Sequence, residues 1–232
     1  TAQIISGLMS TLLCAGILGA QVGGIGYIFR TFTDIPHFWG ILIGLSIVIF
    51  YSCVGGMRAV VFTDVMQFVI LAVMIPLTLF LGVQAAGGWE QLTAELPAEH
   101  LSLISSRISL SAFISLFLIF LLGETLVPPY VQRLFIGRSA GHTSRGTLMS
   151  GIFSVPFFLI TGCLGLVALG LDPGINPNES LPFVIREVLP VGLRGIVIAA
   201  IISIVMSSAD SFLNSASVAI THDIIQPWRN SA

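Results

Sequence analysis

Six apolar stretches fill most of this chain, and each is long enough to cross a bilayer as a helix, which takes about 20 residues. The first runs near Ile4 to Phe29, the second near Phe38 to Val54, and the third near Ala59 to Val83 with Pro76 inside it. The fourth runs near Leu110 to Phe135 and is interrupted around Gly123 to Pro129. The fifth runs near Thr147 to Leu171, and the sixth starts near Gly192 and continues past Ser208 towards Ile225. Charge is scarce between them as well. Only 9% of the residues are charged, against about 25% in a soluble domain. Water cannot solvate such a surface, but lipid can. The expected fold is therefore an all-α membrane protein with six transmembrane helices.

The remaining composition excludes more than it suggests. Net charge is −2 and there is no lysine, so no basic patch points to nucleic acid. Cys14, Cys53 and Cys163 each sit inside an apolar run and read as buried small hydrophobes, without metal spacing or a paired framework. The first residue is Thr and the first apolar run is too long for a signal core, so no signal peptide is expected. The longest connection, Gly87 to Arg107, carries Glu90, Glu95, Glu99 and His100. Asn178-Glu179-Ser180 matches a glycosylation acceptor, a tripeptide common by chance. If the loop between spans four and five is cytoplasmic, that side holds Arg133, Arg138 and Arg145 together with Arg58 and Arg229. The other side holds Arg30, Arg107, Arg186 and Arg194, so the positive-inside rule favours this orientation mildly.

Polar residues inside the spans carry the functional signal, because a charge at bilayer depth costs at least about 2.5 kcal/mol and needs a partner, water or an ion. On a helix, Ser203, Ser207, Asp210, Asn214, Ser217 and Thr221 make one polar stripe along the sixth span. Ser208, Ser211 and Ser215 form a second row beside it. Hydroxyls, carbonyls and a carboxylate are the hard oxygen donors that sodium takes. The plainer reading is that these hydroxyls only hold helices together. The third span opens with two glycines, Gly55 and Gly56, and places Asp64 and Gln67 one turn apart on one face near the helix N-terminus. The alternative there is that Thr63 or Asp64 is only a helix start signal. In the fourth span Gly123, Glu124 and Thr125 precede Pro128 and Pro129, and broken helices at membrane depth line cavities in transporters. The alternative is that the span ends before Pro128 and Glu124 is interfacial.

These segments together resemble the sodium:solute symporter family. Gly55-Gly56-Met57-Arg58-Ala59-Val60, followed by Thr63-Asp64-Val65-Met66-Gln67, is similar to the segment leading into that family's fifth core helix. Met206-Ser207-Ser208-Ala209-Asp210-Ser211-Phe212-Leu213-Asn214-Ser215, then Asp223, resembles its eighth. Gln132-Arg133, with Ser139 and Ala140 after, fits the end of its sixth. The resemblance implies a five-plus-five inverted-repeat fold of which this chain holds core helices three to eight. About residues 1–86 would end the first repeat and about 108–232 would begin the second. The chain would then be part of a longer product, lacking the first two core helices and with them half of the sodium site.

The family's sodium site would be supplied here by the Ser207 and Ser208 hydroxyls and the Ile204 carbonyl, with Asp210 at a second sodium position, Ser211 among the sodium-binding residues and sodium as the coupling ion. Asp64 would line the inner ion path with Gln67. Gly123, Glu124 and Thr125 mark a possible substrate region, where sugar-transporting members carry aromatic gating residues, and the serine run is nearer the choline-type branch. The implied function is sodium-coupled uptake of a small polar solute by alternating access, in the plasma membrane, with lipid and solute as partners. One alternative is a transmembrane sensor of the same fold linked to a signalling domain. An intramembrane aspartyl protease using Asp64 and Asp210 would need a Gly-x-Gly-Asp pattern, and residues 206–210 read Met-Ser-Ser-Ala-Asp.

Overall fold

The computed structural model describes the backbone of residues 2–54, 57–102, 104, 108–123, 127–135 and 137–230, and the side chains of these apart from 51–54, 57–63, 132, 133 and 230. The described residues are helical with no strand. The helices are α1 (Ala2–Thr33), α2 (His37–Val54), α3 (Met57–Ala85), α4 (Trp89–Glu95), α5 (Leu110–Leu118), α6 (Pro128–Phe135), α7 (Ala140–Leu171), α8 (Ser180–Val188), α9 (Val191–Val218) and α10 (Gln226–Asn230). Wider π-helical turns follow α5 at Ile119–Gly123 and α9 at Ala219–Ile225. Helix is the natural answer in lipid, since it satisfies every backbone group within one segment.

Among the described residues, four helical stretches are long and apolar enough to cross a membrane: Ala2–Thr33, Asp64–Ala85, Ala140–Leu171 and Val191–Arg229. His37–Phe50 and Leu110–Gly123 are shorter apolar helices. Their surfaces are inverted relative to a soluble protein. In the most apolar stretch of α7 only 17% of the residues are buried, and Ile152, Phe153, Phe158 and Leu159 face outward.

The chain forms two compact units. The first comprises Thr1–Gln67, Val127–Phe135 and Ile201–Ala232. In it α1 and α2 make a hairpin. Asp34, at φ 56°, ends α1 in the left-handed region, and Pro36 leads into α2. Small residues let the two backbones approach. A Cβ on Gly44 would sit 2.7 Å from Ile25 Cγ2, and one on Gly26 would sit 2.9 Å from the His37 carbonyl oxygen. His37 Nε2 lies 3.1 Å from the Gly23 carbonyl oxygen, and its ring packs on Tyr27 at 4.2 Å between centroids. Against this hairpin α9 adds Ala209, which is buried with Ile25 and Val48. Phe212 is buried with Cys14 and Val127. Cys14 therefore is the buried hydrophobe the sequence suggests; Cys163 is only half-buried, and the Cys53 side chain lies outside the described residues.

The second unit comprises Phe68–Leu126 and Ile136–Ala200. Here α7 packs on α8 and α4, with Leu92, Leu164, Val167, Val184 and Ile185 buried. The long connection after α3 is thus not all loop, since α4 seats Leu92 over Gly170 of α7.

Local chemistry sets the bounds of three elements. α7 begins at Ala140 rather than near Thr147, because the Ser139 hydroxyl caps it by accepting from the His142 amide at 3.3 Å. The span read as interrupted around Gly123 to Pro129 is helical up to Gly123 and again from Pro128, with residues 124–126 outside the described residues, and the second stretch starts on Pro128 and Pro129. They open α6, in the first turn where a missing N–H is harmless. The α9 helix runs to Val218 and then widens into its π turn rather than continuing regularly to Ile225.

Candidate cation site

The site is built in the first unit from the start of α3 and the middle of α9. Ser207 is 5% exposed, and its hydroxyl donates to the Asp64 carboxylate at Oδ1. One turn below, the Ser211 hydroxyl donates to the Ser207 carbonyl at 3.1 Å. Such a back-bond draws on a carbonyl of the helix ladder and slackens it locally. Gln67 follows Asp64 by one turn on α3 and is 8% exposed, yet among the described residues its amide oxygen Oε1 has no hydrogen-bond partner. Ser207 is held in register by its neighbours, since Ala209 and Phe212 anchor α9 in the two apolar clusters of this unit.

The donor set fits sodium. It contains a carboxylate oxygen and a hydroxyl oxygen, both hard donors. It carries one formal negative charge, which matches a monovalent cation. No group of three His, Cys, Asp or Glu side chains gathers among the described residues.

A model of the sodium:solute symporter family matches residues 1–232. The chain belongs to the sodium:solute symporter family. It is accordingly a multi-pass integral membrane protein. Human sodium/glucose cotransporter 4 is 28% identical over 83% of this chain and 34% of that protein. Human sodium/myo-inositol cotransporter is 26% identical over 83% of this chain and 33% of that protein. The chain spans about a third of the length of these curated relatives. Among solved structures, a substrate-bound, outward-open Na+-coupled sialic acid symporter superposes with a TM-score of 0.70 at 24% identity. That likeness covers 94% of this chain and 50% of that one, and shows the shared fold. These relatives are sodium cotransporters, not enzymes.

Membership of a symporter family puts the remaining motif residues in context. Ile204, Ser208 and Asp210 are half-buried beside Ser207 on α9. Among the described residues the Asp210 carboxylate makes no hydrogen bond or ion pair. The polar stripe divides along its length. Ser207 on the stripe and Ser215 in the row beside it are buried, whereas Asn214, Ser217 and Thr221 are exposed, with the Thr221 hydroxyl donating to the Ser217 carbonyl at 2.8 Å. Gly123 is exposed at the end of its π turn, while Glu124 and Thr125 lie outside the described residues. The bond between Asp64 and Ser207 is the relationship that sequence reasoning missed. Its signal was there in part, since each is a polar residue in an apolar run that needs a partner.

Proposed function

We propose that this chain is the middle portion of a sodium-coupled secondary transporter that carries a small polar solute across the plasma membrane by alternating access. The observation that carries the reading is the Asp64–Ser207 bond, which joins the two motif helices through a carboxylate and a hydroxyl. Sodium entering there would be held by Asp64 Oδ1 and the Ser207 oxygen, the hydroxyl keeping its hydrogen and rotating it away from the carboxylate. The Ser207 oxygen then turns its lone pairs to the ion, and the ion bridges α3 and α9. Ser208, Ser211, the Ile204 carbonyl and Asp210 extend the oxygen path along α9, and Asp64 with Gln67 extends it along α3. Gly123, Glu124 and Thr125 belong to the substrate side. In this scheme about residues 1–86 close the first inverted repeat and about 108–232 open the second.

Coupling follows from binding. An ion that ties α3 to α9 in one conformation shifts the population towards it by its difference in affinity between states, and solute and sodium must then favour each other equally. The membrane potential adds about 2.3 kcal/mol per charge per 100 mV to inward sodium movement. The polyhydroxylated solutes named for the relatives make a polar, uncharged or singly charged small molecule the expected cargo.

The test is the melting temperature of the full-length protein in sodium against potassium at equal ionic strength, since an ion bound to the folded state raises it by mass action. A saturating rise specific to sodium, lost in Asp64→Asn, supports the reading. Equal melting in the two salts at high concentration would reduce the serine row to helix contacts.

A further inference from the structure

Among the described residues the Gln67 amide oxygen takes part in no hydrogen bond. It is buried, and it lies one turn from Asp64. A buried carbonyl left unpaired is costly, and native proteins keep few of them, so each one asks what completes it. Asp64 and Gln67 stand three residues apart on α3, and side chains at that spacing are neighbours on one helix face. The Asp64 carboxylate is already engaged with Ser207 from α9.

We propose that Gln67 is a direct ligand, its amide oxygen coordinating the monovalent cation held between Asp64 and Ser207. The inference rests on the cation-site reading above and adds to it a donor and a basis for selectivity. An amide oxygen supplies a strong dipole without a second charge. The set of Asp64, Ser207 and Gln67 keeps a single negative charge and favours a monovalent over a divalent cation. A glutamate at the same place would double that charge. The amide also does not titrate, so the third donor keeps its strength across the physiological pH range.

The ligand role separates from a structural one by the sign of the stability change. A structural glutamine that is replaced by leucine leaves its partners unsatisfied and lowers stability in every salt. A glutamine whose oxygen waits for an ion loses nothing when replaced by an apolar side chain of similar size, except the ion.

The experiment is a sodium titration of melting temperature at constant ionic strength, with potassium as the balancing salt, on full-length wild type, Gln67→Leu, Gln67→Glu and Asp64→Asn. Gln67→Leu is expected to raise the half-maximal sodium concentration by about tenfold or more and to melt in potassium at or above the wild-type temperature. Gln67→Glu keeps an oxygen and is expected to keep the sodium response, and it decides the matter if Gln67→Leu does not fold. An unchanged half-maximal concentration in Gln67→Leu, with the response abolished in Asp64→Asn, would overturn the ligand role and leave the cation site standing. Loss of the response in Gln67→Glu would also overturn it. A wild type without any sodium-specific rise would overturn both.

Discussion

The hydroxyl of Ser207 on α9 donates to the carboxylate of Asp64 on α3 across 143 residues of sequence. The two side chains come from the two segments of the chain with the most distinctive polar patterns. Ser207→Ala would leave a half-buried carboxylate without its donor, at a cost of about 1–3 kcal/mol. The loss should show as a lower melting temperature even in potassium, measured in detergent or nanodiscs. Ser217→Ala, at an exposed position of the same helix, should change it little.

The α1–α2 hairpin depends on glycine at its contacts. A Cβ at Gly44 would meet Ile25 Cγ2 at 2.7 Å and Ile25 Cβ at 3.2 Å, atoms too near the α1 backbone to move freely. Gly44→Ala is expected to destabilise the protein by about 1–3 kcal/mol. Gly16→Ala is the control. Nothing lies within 4 Å of its Cβ position, so alanine there should be neutral or stabilising by up to about 1 kcal/mol through helix propensity. Thermal unfolding of the two variants side by side checks the contrast.

At its other end α1 meets the π turn after α9. A Cβ at Gly7 would lie 2.7 Å from Asp223 Cβ and 3.2 Å from Ile224 Cγ1. Nearby, Gln3 Nε2 donates to the His222 carbonyl and to Asp223 Oδ1, each at 3.3 Å and exposed. Packing should outweigh these long bonds. Gly7→Ala is expected to lower the melting temperature clearly, and Gln3→Ala to change stability by less than about 1 kcal/mol.

His37 ties the start of α2 to α1 through the Gly23 carbonyl. His37→Phe preserves the ring packing on Tyr27 and removes only the polar contact, which is worth about 1 kcal/mol. A loss of that size, measured by thermal unfolding, is expected. A loss several times larger would mean that the ring carries more than this one hydrogen bond.

Much of the architecture was legible because the hydropathy pattern is local and strong. Residues 4–29 and 59–83 are helical as read, within a turn at each end. The start of α7 was hidden because its first two turns, from Gly141 to Thr147, are small or polar, and only the Ser139 cap reveals them. Helices α4 and α8 are short, and tertiary burial holds them. Leu92 over Gly170 cannot be seen in a linear reading. In the candidate site, composition marked Asp64, Gln67 and Ser207 as residues out of place in lipid. Which of them meet is a question of long-range packing, and no periodicity encodes it. The same limit applies to the stripe on α9, whose even spacing concealed that Ser207 is buried and Asn214 is not.

The central claim is that one sodium ion is held jointly by Asp64 and Ser207. A double-mutant cycle on sodium affinity tests it most directly, using Asp64→Asn, Ser207→Ala and the double variant of the full-length protein with radiolabelled sodium binding as the readout. Partners in one site are not additive. Each single change is expected to weaken binding by about tenfold or more, and the double change to weaken it scarcely further. Independent, additive losses, or wild-type affinity in either single variant, would contradict a shared site.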